Sequence, residues 1–60
     1  MYHVISYNAD GSYQAHMFRT AALAMADAKA LVATGLHAVV EVIWAPGGRW
    51  MQYATLRPNS

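Results

Sequence analysis

The sequence predicts an α+β fold of order ββαββ, in which two β-hairpins form a four-stranded, antiparallel-rich sheet with one helix packed on one face. Three observations carry this reading. Only the run from Thr20 to Gly35, TAALAMADAKALVATG, has a helical period. Two short runs rich in β-branched and aromatic residues precede it, and two more follow. A turn signal joins each pair: Asn8-Ala9-Asp10-Gly11 before the helix and Ala45-Pro46-Gly47-Gly48 after it.

In the first hairpin, Tyr2 to Asn8 and Ser12 to Phe18 are the strands, and the turn has the residues of a type I turn with glycine at the left-handed position. Placing Asn8 opposite Gly11 pairs Tyr7 with Ser12, Ile5 with Gln14 and His3 with His16. Alternation then puts Tyr2, Val4, Ser6, Tyr13, Ala15 and Met17 on one face and His3, Ile5, Tyr7, Gln14, His16 and Phe18 on the other.

Thr20 is a suitable N-cap for the helix, although Leu23 stands where a capping box would need Glu or Gln. Alanine dominates the run and favours helix, and Gly35 supplies the stop. At about 100° per residue, Ala21, Ala24, Met25, Ala28, Leu31 and Val32 share the core stripe. The opposite side, with Leu23, Ala26, Ala30 and Ala33, is only thinly polar.

Leu36 to Ala45 and Arg49 to Leu56 form the second hairpin. Pairing Trp44 with Arg49 places Ile43 beside Trp50, Glu41 beside Gln52 and Val39 beside Ala54. The face carrying Ala38, Val40, Val42, Trp44, Met51 and Tyr53 is then expected under the helix. The other carries His37, Val39, Glu41, Ile43, Trp50, Gln52, Ala54 and Leu56.

Sixty residues make one small domain, here 1–57, followed by a short tail at 58–60 where Pro58 stops the strand. Domains of this size usually need a disulfide, a metal or a partner subunit. There is no cysteine, which excludes disulfides and thiolate metal sites, so oligomerisation rises in weight. Charged residues are 12% of the chain, about half the usual share, and apolar residues are 57%. A net charge of +1, with Arg19, Lys29, Arg49 and Arg57 as fixed cations, argues against strong electrostatic attraction to nucleic acid. No run approaches the roughly 18 apolar residues of a membrane span. The start, MYHVISYN, lacks the pattern of a secretory signal, so a cytoplasmic protein with no membrane partner is expected.

One helix of about fourteen residues is roughly 21 Å long and covers one side of a four-stranded sheet. The other side is expected to display Ile5, Tyr7, Phe18, Val39, Ile43, Trp50 and Leu56. Exposed apolar patches beyond a few hundred Å² mark interaction sites, and aromatic anchors dominate protein interfaces. Leu23 and Ala30 on the outer helix side add a second under-hydrated surface. A second copy of the chain is the most economical occupant of the sheet face. Pairing through an edge strand is the other route to a complex. A one-residue slip in register would exchange the faces and close these side chains into one core.

Other chemistry has weaker signals. His3 and His16 as cross-strand neighbours, with His37 and Glu41 on the matching face, are ordinary zinc ligands but have no metal-site spacing. Ordinary strand or rim histidines are the preferred explanation, and no cofactor is expected. Ser6, Ser12, Tyr7 and His16 match no nucleophile template, so catalysis, including a metal-dependent enzyme, ranks last. Tyr7, Phe18 and Trp50, flanked by Arg19 and Arg49, also suit a sheet platform for single-stranded nucleic acid.

The run YHVISYNADGSYQAHMF followed by RTAALAMADAKALV resembles the amino-terminal half of HicB-type antitoxin domains, through Asp10-Gly11-Ser12-Tyr13 and the helix from Thr20 to Ala28. The proline- and glycine-rich segment of that family between the second strand and the helix is absent, so no functional residue is carried over. The expected function is a small non-catalytic protein–protein interaction module with a protein target. By size alone it suits a homodimeric inhibitor or regulator of a larger host complex, of the kind that phages and mobile elements encode and that includes the anti-CRISPR proteins.

Overall fold

The computed structural model describes residues 1–58. The remainder of the tail expected at 58–60 lies outside the described residues. The elements are β1 (Tyr2–Asn8), β2 (Tyr13–Phe18), α1 (Ala21–Ala33), β3 (His37–Trp44) and β4 (Met51–Leu56). This is the ββαββ order, and the four strands form one antiparallel sheet in the order β2-β1-β3-β4. β1 therefore runs between β2 and β3, and α1 carries the chain over it. The smallest dimension, 17 Å, corresponds to one sheet layer and one helix layer.

Local chemistry explains the helix ends. Thr20 is extended (φ −127°, ψ 154°), and its hydroxyl oxygen accepts the Leu23 amide at 3.2 Å, satisfying one of the free N–H groups of the first turn. At the other end the Thr34 and Gly35 amides donate to the Leu31 and Val32 carbonyls, and Gly35 takes φ 73°, the left-handed region in which glycine carries no Cβ penalty.

The core is thin. Val4, Val40 and Val42 of the sheet and Ala24 and Ala28 of the helix are fully buried. Met25, Leu31 and Val32 pack around them, as the helical period predicts. The alanines bring the helix backbone close to the sheet, so three valines suffice to fill the space. Burying one such side chain contributes about 1.5–3 kcal/mol.

Both hairpin registers differ from the sequence expectation. In the first, the Asn8 amide donates to the Ser12 carbonyl at 2.8 Å and the Gly11 amide to the Asn8 carbonyl at 3.1 Å. Gly11, at φ 94°, is thus an extra residue inside the turn and not the partner of Asn8. Tyr7 pairs with Tyr13, Ile5 with Ala15 and His3 with Met17, one residue on from the expected pairs. The second strand is turned over as a result: Gln14, His16 and Phe18 join Val4 on the helix side, and Tyr13, Ala15 and Met17 join Ile5 on the open side.

In the second hairpin the connection is longer. Residues 45–50 stay outside the strands, so Trp44 pairs with Met51, not Arg49, and Ile43 with Gln52, not Trp50. A shift between Val42 and Ile43 makes Tyr53 the extra residue, after which Val42 pairs with Ala54, Glu41 with Thr55 and Val40 with Leu56. Ala54 and Leu56 consequently pack against the core. On the same side, Tyr2 stacks on Trp44 (centroids 5.4 Å apart, planes 8° apart), and the Tyr53 ring meets both edge-on. The bulge keeps Tyr53 in this aromatic group while bringing Leu56 under the helix.

Candidate functional site

The helix covers one face of the sheet, and among the described residues none forms a layer over the opposite face. Its residues follow from the registers. β1 presents His3, Ile5 and Tyr7, flanked by Tyr13, Ala15 and Met17 of β2 and by Val39, Glu41 and Ile43 of β3. β4 adds Gln52 and Thr55, whose side chains are hydrogen-bonded to each other. Trp50, just before β4, lies against His3 with ring centroids 4.4 Å apart, which anchors the loop end over the same face. Tyr7 and Tyr13 make a second aromatic pair at 6.0 Å.

The strands Ile5, Val39 and Ile43 belong to are central, so their neighbours half-shield them. The large apolar groups most open to solvent lie around them: Tyr13 and Met17 are each 65% exposed and Trp50 is 54% exposed. Four strands at about 4.8 Å spacing and about seven residues of 3.3 Å give a face of roughly 440 Å² in projection. His3, Glu41, Gln52 and Thr55 interrupt its apolar part, which falls within the size of the largest apolar patch of an ordinary monomer, a patch that is often functional. Glu41, facing Ile5 on one side and Thr55 on the other, is the sole ionisable acid on this face among the described residues.

Of the residues expected on the open side, Ile5, Tyr7, Val39, Ile43 and Trp50 are there. Phe18 and Leu56 are not. Phe18 pairs with Tyr2, Leu56 pairs with Val40, and both pack against the core beneath the helix. Tyr13 and Met17 take their place. The signal that finds them is Gly11: counting it as an inserted residue gives the observed register at once. On the outer side of α1, Leu23 is 55% exposed and Ala30 is exposed too.

The histidines do not converge. His3 pairs with Met17 and not with His16, whose Nδ1 lies 3.4 Å from Asp27 Oδ2 of α1 on the opposite side of the sheet. His37 Nδ1 is 3.0 Å from Asn8 Oδ1, at the irregularity where β1 and β3 shift register. Among the described residues no three of His, Asp and Glu are placed to hold a metal ion. From Asn8 a hydrogen-bond chain runs outward: Asn8 Nδ2 donates to Ser12 Oγ at 2.8 Å, and Ser12 Oγ donates to Asp10 Oδ1 at 2.7 Å. The Ser12 amide also donates to Asp10, at 2.9 Å. The hydroxyl and then the amide hold the Asp10 carboxyl below its usual range.

Arg19 follows β2 and Arg49 lies in the 45–50 connection. The pairing of Phe18, Tyr2 and Trp44 places both at the same end of the sheet. Among the described residues no fixed cation is paired with a carboxylate. The described residues enclose no pocket, and no helix among them is long and apolar enough to cross a membrane.

A single four-stranded antiparallel sheet with one covering helix defines a small α+β protein with one bare sheet face. No protein-family model, curated protein or solved structure matches the chain.

Proposed function

We propose that this protein is a non-catalytic interaction module whose open sheet face docks a protein target, and that it works as a homodimeric inhibitor or regulator of a larger complex. The observation that carries the reading is the bare face itself, with Ile5 and Ile43 at its centre and Tyr7, Tyr13, Met17 and Trp50 around them. Aromatic and methionine side chains are enriched in interface cores, and burying them against a complementary surface is the main source of their affinity. Small size alone suggests the phage or mobile-element class, anti-CRISPR proteins included; an inhibitor of that kind acts in the cytoplasm. A stacking platform for single-stranded nucleic acid is the competing reading; it has Tyr7, Tyr13 and Trp50, but Arg19 and Arg49 sit at one end of the sheet and Glu41 at its centre.

The test is capture from host extract with tagged wild type, Trp50→Ala and Ile5→Asp, after circular dichroism has shown all three folded. The reading predicts a protein held in fixed stoichiometry by wild type and lost with both variants. Recovery of RNA released by moderate salt supports the platform. Equal capture by all three proteins overturns the face assignment.

A further inference from the structure

We propose that the second copy pairs through β2, antiparallel and centred on Ala15, so that two sheets join into one eight-stranded sheet with both helices on the same side. This deepens the reading of the chain as a homodimer and rests on it. It also leaves the rest of the open face, around Ile5, Tyr7, Ile43 and Trp50, free for the target.

The argument starts from the free backbone of the edge. The Asn8–Ser12 bond sets the alternation of the β1–β2 ladder, so Gln14, His16 and Phe18 exchange hydrogen bonds with β1. The N–H and C=O groups of Tyr13, Ala15 and Met17 point away from the sheet. An exposed edge of this kind is a template for another strand unless something blocks it. β4, the other edge, is blocked: Tyr53 bulges out of register, and Arg57 and Pro58 follow directly. β2 has no bulge, proline, lysine or arginine in its six residues.

The sequence of β2 is also self-complementary about Ala15. A twofold pairing there sets Ala15 opposite Ala15 of the second copy, Tyr13 opposite Met17, and Gln14 opposite His16. The three outward-facing residues of each strand then form about six hydrogen bonds across the junction. On the open face the small central alanines are flanked by two Tyr–Met contacts. These join the two side chains that are each 65% exposed in the monomer, and sulfur–aromatic contact is favourable. Continuing the same register beyond the strands brings Arg19 of one copy level with Gly11 and Asp10 of the other, at both ends. Shape, hydrogen bonding and charge thus all point to one partner, this strand itself.

Two variants and one cross-link test it. In antiparallel sheet a hydrogen-bonded pair has Cα atoms about 5.5 Å apart, within disulfide range. The chain has no cysteine of its own, so Ala15→Cys is expected to form a disulfide-linked dimer under mild oxidation, and Ala33→Cys at the far end of the helix is the control. Ala15→Pro removes an N–H that points away from β1, a place where an edge strand tolerates proline. Met17→Lys puts a charge beside the junction. Sedimentation at about 100 μM is expected to show a wild-type dimer and at least a tenfold weaker association for both variants. A monomeric wild type overturns self-association altogether, while target capture through the open face is read separately. A dimer that survives both substitutions, or Ala15→Cys linking no faster than Ala33→Cys, overturns the β2 junction alone and points to face-to-face association. If either variant fails to fold, the cross-linking comparison still decides.

Discussion

Tyr7 and Tyr13 are directly opposed across the first hairpin, with ring centroids 6.0 Å apart. Their pairing requires Gly11 to stand as an extra residue in the turn at φ 94°. A side chain at Gly11 meets nothing within 4 Å, so the cost of adding one is conformational and not steric. Gly11→Ala is therefore expected to destabilise by about 1–2 kcal/mol. Gly47 also has open space around it and has no positive φ, so Gly47→Ala should be near neutral. Chemical denaturation midpoints of the two variants check the contrast.

Ser6 lies at the centre of β1, between Gln14 and Val40, and is buried with no hydrogen-bond partner for its hydroxyl. An unpaired buried hydroxyl costs about 1–3 kcal/mol. Ser6→Ala removes that cost with little change in volume, and should raise stability by roughly 1 kcal/mol. A lower urea midpoint for the variant would show that the hydroxyl has a partner in solution.

Asp10 holds the first turn together through the hydroxyl and amide of Ser12. Its carboxyl is held below the ordinary value in the folded chain, so its contribution is present above the unfolded pKa, near 4, and is lost as pH falls through the lower folded value. Amide exchange at Ser12 is expected to quicken, relative to the central amides of β1, only in acid below that range. Asp10→Ala should show the faster relative exchange at neutral pH as well.

The helix and both hairpins were legible because each has a local signal: alanine periodicity from Ala21 to Ala33, the Asp10-Gly11 turn, and Pro46-Gly47-Gly48. The two sheet faces were only half legible. The central strands β1 and β3 are placed correctly, since Val4, Val40 and Val42 alternate cleanly with Ile5, Val39 and Ile43. β2 is not, nor is β4 beyond Tyr53, because each hairpin contains one residue that alternation does not count, Gly11 in the first and Tyr53 in the second; Met51, Gln52 and Tyr53 keep their expected faces. A strand with an uncounted residue is turned over, and with it go Phe18, Leu56, Tyr13 and Met17. The order β2-β1-β3-β4 depends on where α1 returns the chain, which is a matter of packing across the whole sheet.

Val42 and Ile43 are adjacent in β3 and separate the two faces. Val42 is fully buried opposite Val4 and Ala54, whereas Ile43 faces His3 and Gln52 on the open side. An aspartate at Val42 buries an unpaired charge, at a cost of several kcal/mol, comparable to the entire stability of a small domain. Ile43→Asp sits on a half-shielded position of the open face, where its charge still reaches water, and should cost about 2 kcal/mol from lost apolar contact and strand propensity.

The most direct measurement of the central claim is therefore a paired one: thermal unfolding of Val42→Asp and Ile43→Asp, with capture of the protein target by whichever variant folds. The open-face account predicts that Val42→Asp is unfolded, and that Ile43→Asp still melts cooperatively, about 10–15 °C below wild type, but no longer holds the target. Unfolding by Ile43→Asp, or full retention of the target by a folded Ile43→Asp, would contradict it.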